Sequence, residues 1–197
     1  MARKRKIIVH IATSADGYIA RRDGEIDWLT ERPAPKGFYG MPRFMRSIDA
    51  TILGRKTFDL AVKLGATFSV DNMHYVFSQR PAPAVAPAGV EFVTESIGKF
   101  VARLRRKRGK DIWMMGGGEI IAAFLDAGAI DEFVISIIPA LLGQGIPVIA
   151  ATHRDVALHL RSTRSFPDGV IQVRYEVVRK RAGITGRRAR SGRRRRA

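Results

Sequence analysis

Three stretches of this 197-residue sequence end an apolar run in groups suited to binding an anion. The first runs from Ile112 through Gly116, Gly117 and Gly118 to Glu119 and Ile120, a strand that passes through three glycines into an amphipathic helix. Glycines there allow backbone N–H groups to approach a phosphate at a helix N-terminus. A Rossmann fingerprint would need Gly or Ala where Ile121 stands and an acid ending the next strand, and neither is present. The run is either a phosphate-binding turn or only a tight turn. The second stretch, Ile52-Leu53-Gly54-Arg55-Lys56-Thr57-Phe58, puts two cations in the first turn of a helix. Against the helix dipole each costs about 0.3–1 kcal/mol, a sign that a bound phosphate would reverse. Chance is the alternative, since about one residue in six is Lys or Arg. The third stretch ends a strand at Phe77 and follows it with Ser78, Gln79 and Arg80. Ligands of open α/β sheets gather beyond the carboxyl ends of the strands, so the three loops are expected to converge on one extended, phosphorylated ligand.

Other chemistries find less support. There is no cysteine, and His10, His74, His153 and His159 do not form an H-E-x-x-H or related pattern, so neither a zinc deaminase motif nor a resident metal is expected. Ser14 and Ser78 lack a histidine or acid at an interpretable spacing, which leaves nucleophilic catalysis without a basis.

The elements that must position these loops can be read from periodicity. Short apolar, β-rich runs recur at 7–13, 48–53, 73–77, 90–93, 112–115 and 133–138. Helical patterns lie between several of them, at 42–47, 55–64, 96–108 and 119–127. This alternation predicts an α/β fold with a largely parallel sheet. At 170–178 apolar Ile171, Val173, Tyr175 and Val177 alternate with polar residues, behind the turn Pro167-Asp168-Gly169 and a partner strand at 157–163. An antiparallel hairpin at the sheet edge is therefore expected.

The net charge of +17 is unevenly placed. Arg3 to Lys6 contribute +4, and residues 179–197 hold ten Lys and Arg with no acid. Six further bases crowd 103–110, read as the solvated outer face of a helix rather than a phosphate-binding surface. The expected organisation is a basic extension at 1–6, one domain at 7–178 and a disordered Arg-rich tail at 179–197. The stretch 133–142 is too short to span a bilayer, and His10 and Asp16 interrupt any signal-peptide reading of the start, so a cytoplasmic protein without a membrane partner is expected.

The order of the motifs resembles the dihydrofolate reductase superfamily, and most closely the branch holding the reductase domain of riboflavin biosynthesis and its stand-alone relatives. Ser14-Ala15-Asp16-Gly17-Tyr18-Ile19-Ala20 is similar to that branch's opening, Gly54-Arg55-Lys56-Thr57 to its G-R-x-T cofactor motif, and Gly116-Gly117-Gly118 to its glycine run. Asp131-Glu132, leading to Pro139 and Gly143-Gln144-Gly145, completes the set. The resemblance spans 7–178 and implies a three-layer, dihydrofolate-reductase-like fold and an NADPH site. Under it the Ala12 backbone and Ile19 face the nicotinamide, and Arg55, Lys56 and Thr57 bind phosphates. Ser78 and Arg80 lie near the adenosine 2′-phosphate, while Gly116, Gly117, Gly118, Glu119 and Ile120 cradle the pyrophosphate. It also implies a homodimer.

The substrate side departs from the folate-reducing pattern. The carboxylate expected five residues beyond Trp28 is Pro33, which leaves Asp27 and Glu31 as displaced catalytic candidates or plain loop acids. Trp28, Tyr39 and Phe44 are candidates to stack on a planar substrate or to fill a core. The reading is an NADPH-dependent reductase of a pterin-like or ribosylaminopyrimidine-like molecule, not of folate. The alternative is a nucleic-acid-associated protein that binds polyanions through its tail on a non-catalytic scaffold.

Overall fold

The fold was described from a computed structural model, which defines residues 3–33, 35–151 and 155–179. The tail expected at 179–197 lies outside these residues except for Arg179, as does His153. In chain order the elements are β1 (Ile7–Ser14), β2 (Tyr18–Ala20), α1 (Asp27–Thr30), a 3-10 turn (Phe38–Gly40), α2 (Met41–Arg46), β3 (Ile48–Gly54), α3 (Arg55–Lys63), β4 (Met73–Phe77), β5 (Val90–Val93), α4 (Ile97–Arg106), β6 (Asp111–Gly116), α5 (Gly118–Asp126), β7 (Glu132–Ile138), β8 (Ile146–Pro147), β9 (Leu158–Ser165) and β10 (Ile171–Val177).

Eight strands form one sheet in the order β5-β4-β3-β6-β1-β7-β10-β9. The first six of that order run parallel, and β10 and β9 add an antiparallel hairpin. Both faces of the parallel part are buried, so consecutive residues face opposite layers and the strands read as unbroken apolar runs. Ile52, Tyr75 and Met114 join Phe100 and Leu104 of α4 and Ile121 and Phe124 of α5 on one side. Their chain neighbours Leu53, Val76 and Met115 pack with Phe58 of α3 on the other. The result is the expected three-layer arrangement.

The basic segments are more engaged than their charge suggests. Arg5, placed by sequence in an extension, is buried and donates to Asp49 and, at 2.7 Å, to the carbonyl of Lys110, so the packed body begins ahead of β1. The 103–110 cluster is not one uniform solvated face. Arg103 pairs with Glu91 and Glu95 and lies over the rings of Tyr75 and Phe100, and Arg105 donates to Asp131 at 2.9 Å. Helix α4 ends at Arg106, two residues before the expected stop, because Lys107 turns extended at ψ 135°. Among the described residues no helix is long and apolar enough to cross a membrane.

Candidate functional site

Because β1, β3, β4 and β6 are parallel, their carboxyl ends lie at one pole of the sheet, and the three loops singled out by sequence sit there. Gly54 and Gly117 are the N-caps of α3 and α5, both extended and neither offering a side chain to the first-turn N–H groups. Those donors are left for another acceptor. A β-carbon on Gly117 would stand 3.4 Å from Thr57 Oγ1 and 3.8 Å from Ile19 Cδ1. One on Gly54 would stand 3.6 Å from Ile120 Cγ2. The start of α5, the first turn of α3 and strand β2 therefore meet at Gly117. Gly116, at φ +117°, follows a backbone path that disfavours any side chain.

The cations at this pole have acid partners. Arg55 Nε donates to Asp59 at 2.8 Å, one helical turn on, and its guanidinium lies 5.2 Å over the Phe92 ring. Arg80 donates to the other Asp59 oxygen at 2.9 Å. Lys56 reaches Glu119 of α5 at 2.8 Å across two exposed side chains. That exposed pair contributes little, so a phosphate, which offers stronger charge-assisted bonds, can displace Glu119 from Lys56. Asp59 was not singled out by sequence. Its spacing of four from Arg55 is the signal that would have found it. Ser78 spends its hydroxyl locally, donating to the Arg80 carbonyl at 2.9 Å and accepting the Arg80 N–H at 3.0 Å.

The loop after β1 is tied to the segment after β7. The Asp16 carboxylate accepts from Ser14 Oγ at 2.6 Å and from the backbone N–H groups of Leu142 and Gly143, and these bonds hold it below the usual carboxylate range. The short pair β2–β8, unmarked in the sequence, continues the tie. It brings residues 147–150 onto the start of α5, where Ala150 N–H donates to the Gly118 carbonyl at 3.2 Å.

On the side where the sequence places its substrate candidates, Ala12 and His10 are two residues apart on β1 and so share a face. Trp28 and Tyr39 pack in one cluster with Ala12, Ile138 and Val170. Phe44 lies apart from them, 4.4 Å from the His10 ring and edge-on to Trp113 at 5.8 Å. The Trp28 indole N–H is buried without a partner among the described residues. Tyr39, held at φ +54°, donates its hydroxyl to Asp168 and is edge-on to Phe166, which anchors the 3-10 turn to the β9–β10 hairpin. Asp27 gives both oxygens to Arg21 at 2.7 and 2.8 Å, and that guanidinium keeps it ionised. Asp27 therefore lacks the desolvated surroundings that let a carboxyl hold a proton at neutral pH. Glu31 is exposed.

His10 is 7% exposed, and burial, reinforced by Arg174, pushes its imidazole down to about 4. The unfolded chain takes up this proton near 6.5, so between pH 6.5 and 4 the unfolded state binds more protons and stability falls as pH falls. From pH 7 to 5 this site is expected to cost about 2 kcal/mol. Urea unfolding should show a smaller loss over that interval in a His10→Leu chain, and equal losses would contradict the assignment.

The comparisons with known proteins agree with this geometry. A family model described as the RibD C-terminal domain matches residues 5–172. The uncharacterized protein YwjB of Bacillus subtilis (strain 168) is 38% identical over 173 residues, covering 87% of this chain and 98% of its own. A crystal structure from Shewanella sp. PV-4, named for riboflavin biosynthesis, superposes with a TM-score of 0.77 at 29% identity over 88% of this chain and 99% of its own. The dihydrofolate reductase of Enterococcus faecalis, solved with NADP(H), shares the fold at a TM-score of 0.62 and 16% identity, covering 87% of this chain and 96% of its own.

Proposed function

Because the chain belongs to the family of the RibD C-terminal domain, we propose that it is a reductase that binds NADPH at the glycine-lined pole and reduces a pterin-like or ribosylaminopyrimidine-like heterocycle. The observation that carries this reading is the meeting of Gly117 with Thr57 and Ile19, three segments whose sequence motifs each resemble part of one dinucleotide site. The residues present suit that cofactor. Two helix N-termini with uncapped N–H groups and backbone approachable at glycine match a pyrophosphate, and Arg55 and Arg80, both held on Asp59, match the 2′-phosphate that distinguishes NADPH from NADH.

When bound, NADPH supplies the hydride, and the chain supplies position and dryness. The first turns of α3 and α5, with Lys56 and Thr57, hold the phosphates. The Ala12 backbone and Ile19 orient the nicotinamide. Trp28 and Tyr39, packed in the cluster that includes Ala12, form an apolar wall that keeps water from the reacting carbon, and the unpartnered indole N–H of Trp28 is a donor for a substrate carbonyl. Phe44 closes the same face beside His10. Asp27, held ionised by Arg21, is placed as a hydrogen-bond acceptor.

The test is NADPH oxidation followed with and without a ribosylaminopyrimidine or a pterin. Turnover that depends on the heterocycle supports the reading. Tight NADPH binding without turnover on either compound overturns the substrate class, and absence of NADPH binding overturns the reductase itself.

The chain is also proposed to pair as a homodimer. Leu158, Leu160 and Ile171 of the β9–β10 hairpin are exposed apolar residues on one sheet face at its edge, where a second copy would cover them. Sedimentation should give twice the 21.9 kDa chain mass, and a monomer at micromolar concentration would remove this assignment.

A further inference from the structure

The parallel strands begin at the pole opposite the glycine turns, and there the fold gathers three basic segments that are far apart in the sequence. Asp131 is their common anchor. Its Oδ1 accepts from Lys4 at 3.4 Å and from Arg179, and its Oδ2 accepts from Arg105 at 2.9 Å and from the Ile7 N–H at 3.0 Å. One carboxylate thus binds a cation from the chain start, one from α4 and one from the end of the last strand. Neighbouring acids repeat the pattern. Asp111 accepts from Arg3, and Glu132 from Lys6 and Arg174.

These pairs are layered. The side chains of Asp131 and Glu132 are 13% and 6% exposed, while those of Lys4 and Arg179 are each 47% exposed. The acids form a floor and the cations the outer surface, so the pole presents positive charge despite its ion pairs. Beside them Arg106, Lys107 and Arg108 leave the end of α4 exposed, with no salt bridge among the described residues. A cleft of about 490 Å³ opens between Lys4, Lys6, His159, Arg161 and Arg179, with Asp131 and Glu132 in its floor and Glu176, paired with Arg161, on its wall. Arg179 is the last described residue of this surface, and the sequence beyond it adds nine more Lys and Arg, with no acid, in 180–197.

We infer that this pole is a binding surface for the phosphate backbone of a nucleic-acid duplex, without regard to base sequence. Cations fixed on a folded body suit a regular line of phosphates, and releasing that line's counterions supplies the affinity. No phenylalanine, tyrosine or tryptophan lines the cleft, and the single imidazole of His159 is no row of rings, so the extended stacking platform that single strands use is missing. Its apolar residues are only Val177 and Val178, too little for insertion into a lipid surface. The pole lies about 25 Å from the glycine turns, the length of the eight-residue β1, so a bound duplex leaves the nucleotide site open.

The test measures binding of a labelled mixed-sequence DNA duplex, against salt, to three full-length chains. One is unaltered. A second has the nine bases of 180–197 replaced by Ser. The third adds Arg106→Ser, Lys107→Ser and Arg108→Ser to those replacements. The second chain is expected to keep salt-sensitive binding, and the third to bind at least about tenfold more weakly, with the slope of log affinity against log salt reduced by about 2.7 for three lost phosphate contacts. Equal melting temperatures for the second and third chains would show that the exposed substitutions leave the fold intact. Loss of all duplex binding in the second chain would overturn the inference in favour of the tail alone. So would equal affinity of the second and third chains. Equal binding of the second chain to a single strand or to phosphatidylserine vesicles would overturn the duplex assignment. None of these outcomes depends on whether the chain binds NADPH.

Discussion

An Arg55→Ala chain is expected to bind NADPH at least about tenfold more weakly than the unaltered chain, with a smaller loss for NADH. A hydrogen bond to a charged group is worth about 1.5–3 kcal/mol, and the loss follows from removing one such bond to the 2′-phosphate. The structure explains why Arg55 is the residue to remove. Its guanidinium is set between Asp59 and the Phe92 ring, and its second nitrogen reaches the Pro81 carbonyl at 3.4 Å, so it is oriented before a ligand arrives. Little ordering entropy is then lost on binding. Lys56 is exposed and, among the described residues, held by Glu119 alone, so Lys56→Ala should cost less and lose its effect sooner as salt rises. Titrations of both nucleotides into the three chains check this, and an unchanged NADPH preference in both variants would return the basic pair to plain surface.

The second large effect is expected from one methyl group. In a Gly118→Ala chain the new β-carbon would stand 2.4 Å from the Pro147 carbonyl oxygen and 3.3 Å from the Ala150 nitrogen, both backbone atoms. No side-chain rotation relieves such contacts, so either α5 or the 147–150 segment must move. Overpacking of this kind costs about 1–3 kcal/mol. The shift falls on the first turn of α5, beside Gly117, so NADPH affinity should drop together with the melting temperature. An Ala at Gly98, which has open space around it in α4, is the control and should leave NADPH affinity unchanged. A Gly118→Ala chain with the stability and NADPH affinity of the unaltered chain would show that the glycine run has no packing role.

The legible and the hidden parts of this molecule divide along physical lines. Strands such as Ile48–Gly54 are buried on both faces, so their apolar runs stand out in the sequence, and the Gly54 and Gly117 turns were visible because strand, glycine and helix follow one another locally. The β2–β8 pair was hidden because strands of three and two residues carry no periodicity. Distance from Trp28 singles out Asp27 and Glu31, but a spacing cannot tell an acid braced by Arg21 from one that faces a pocket. Trp28, Tyr39 and Phe44 read as one aromatic set in the sequence, and the fold divides them between Ala12 and His10. The basic clusters looked separate because what joins them is Asp131, a tertiary contact that spans 127 residues from Lys4 and 48 from Arg179.

The central claim is that the pole built around Gly117 is an NADPH site, and a paired fluorescence titration of the unaltered chain with NADPH and with NADH tests it most directly. The account predicts that NADPH binds more tightly and that added salt narrows the gap, since the difference between the two nucleotides is one phosphate facing Arg55 and Arg80. Equal affinities for the two nucleotides at low salt, or binding of neither, would contradict it.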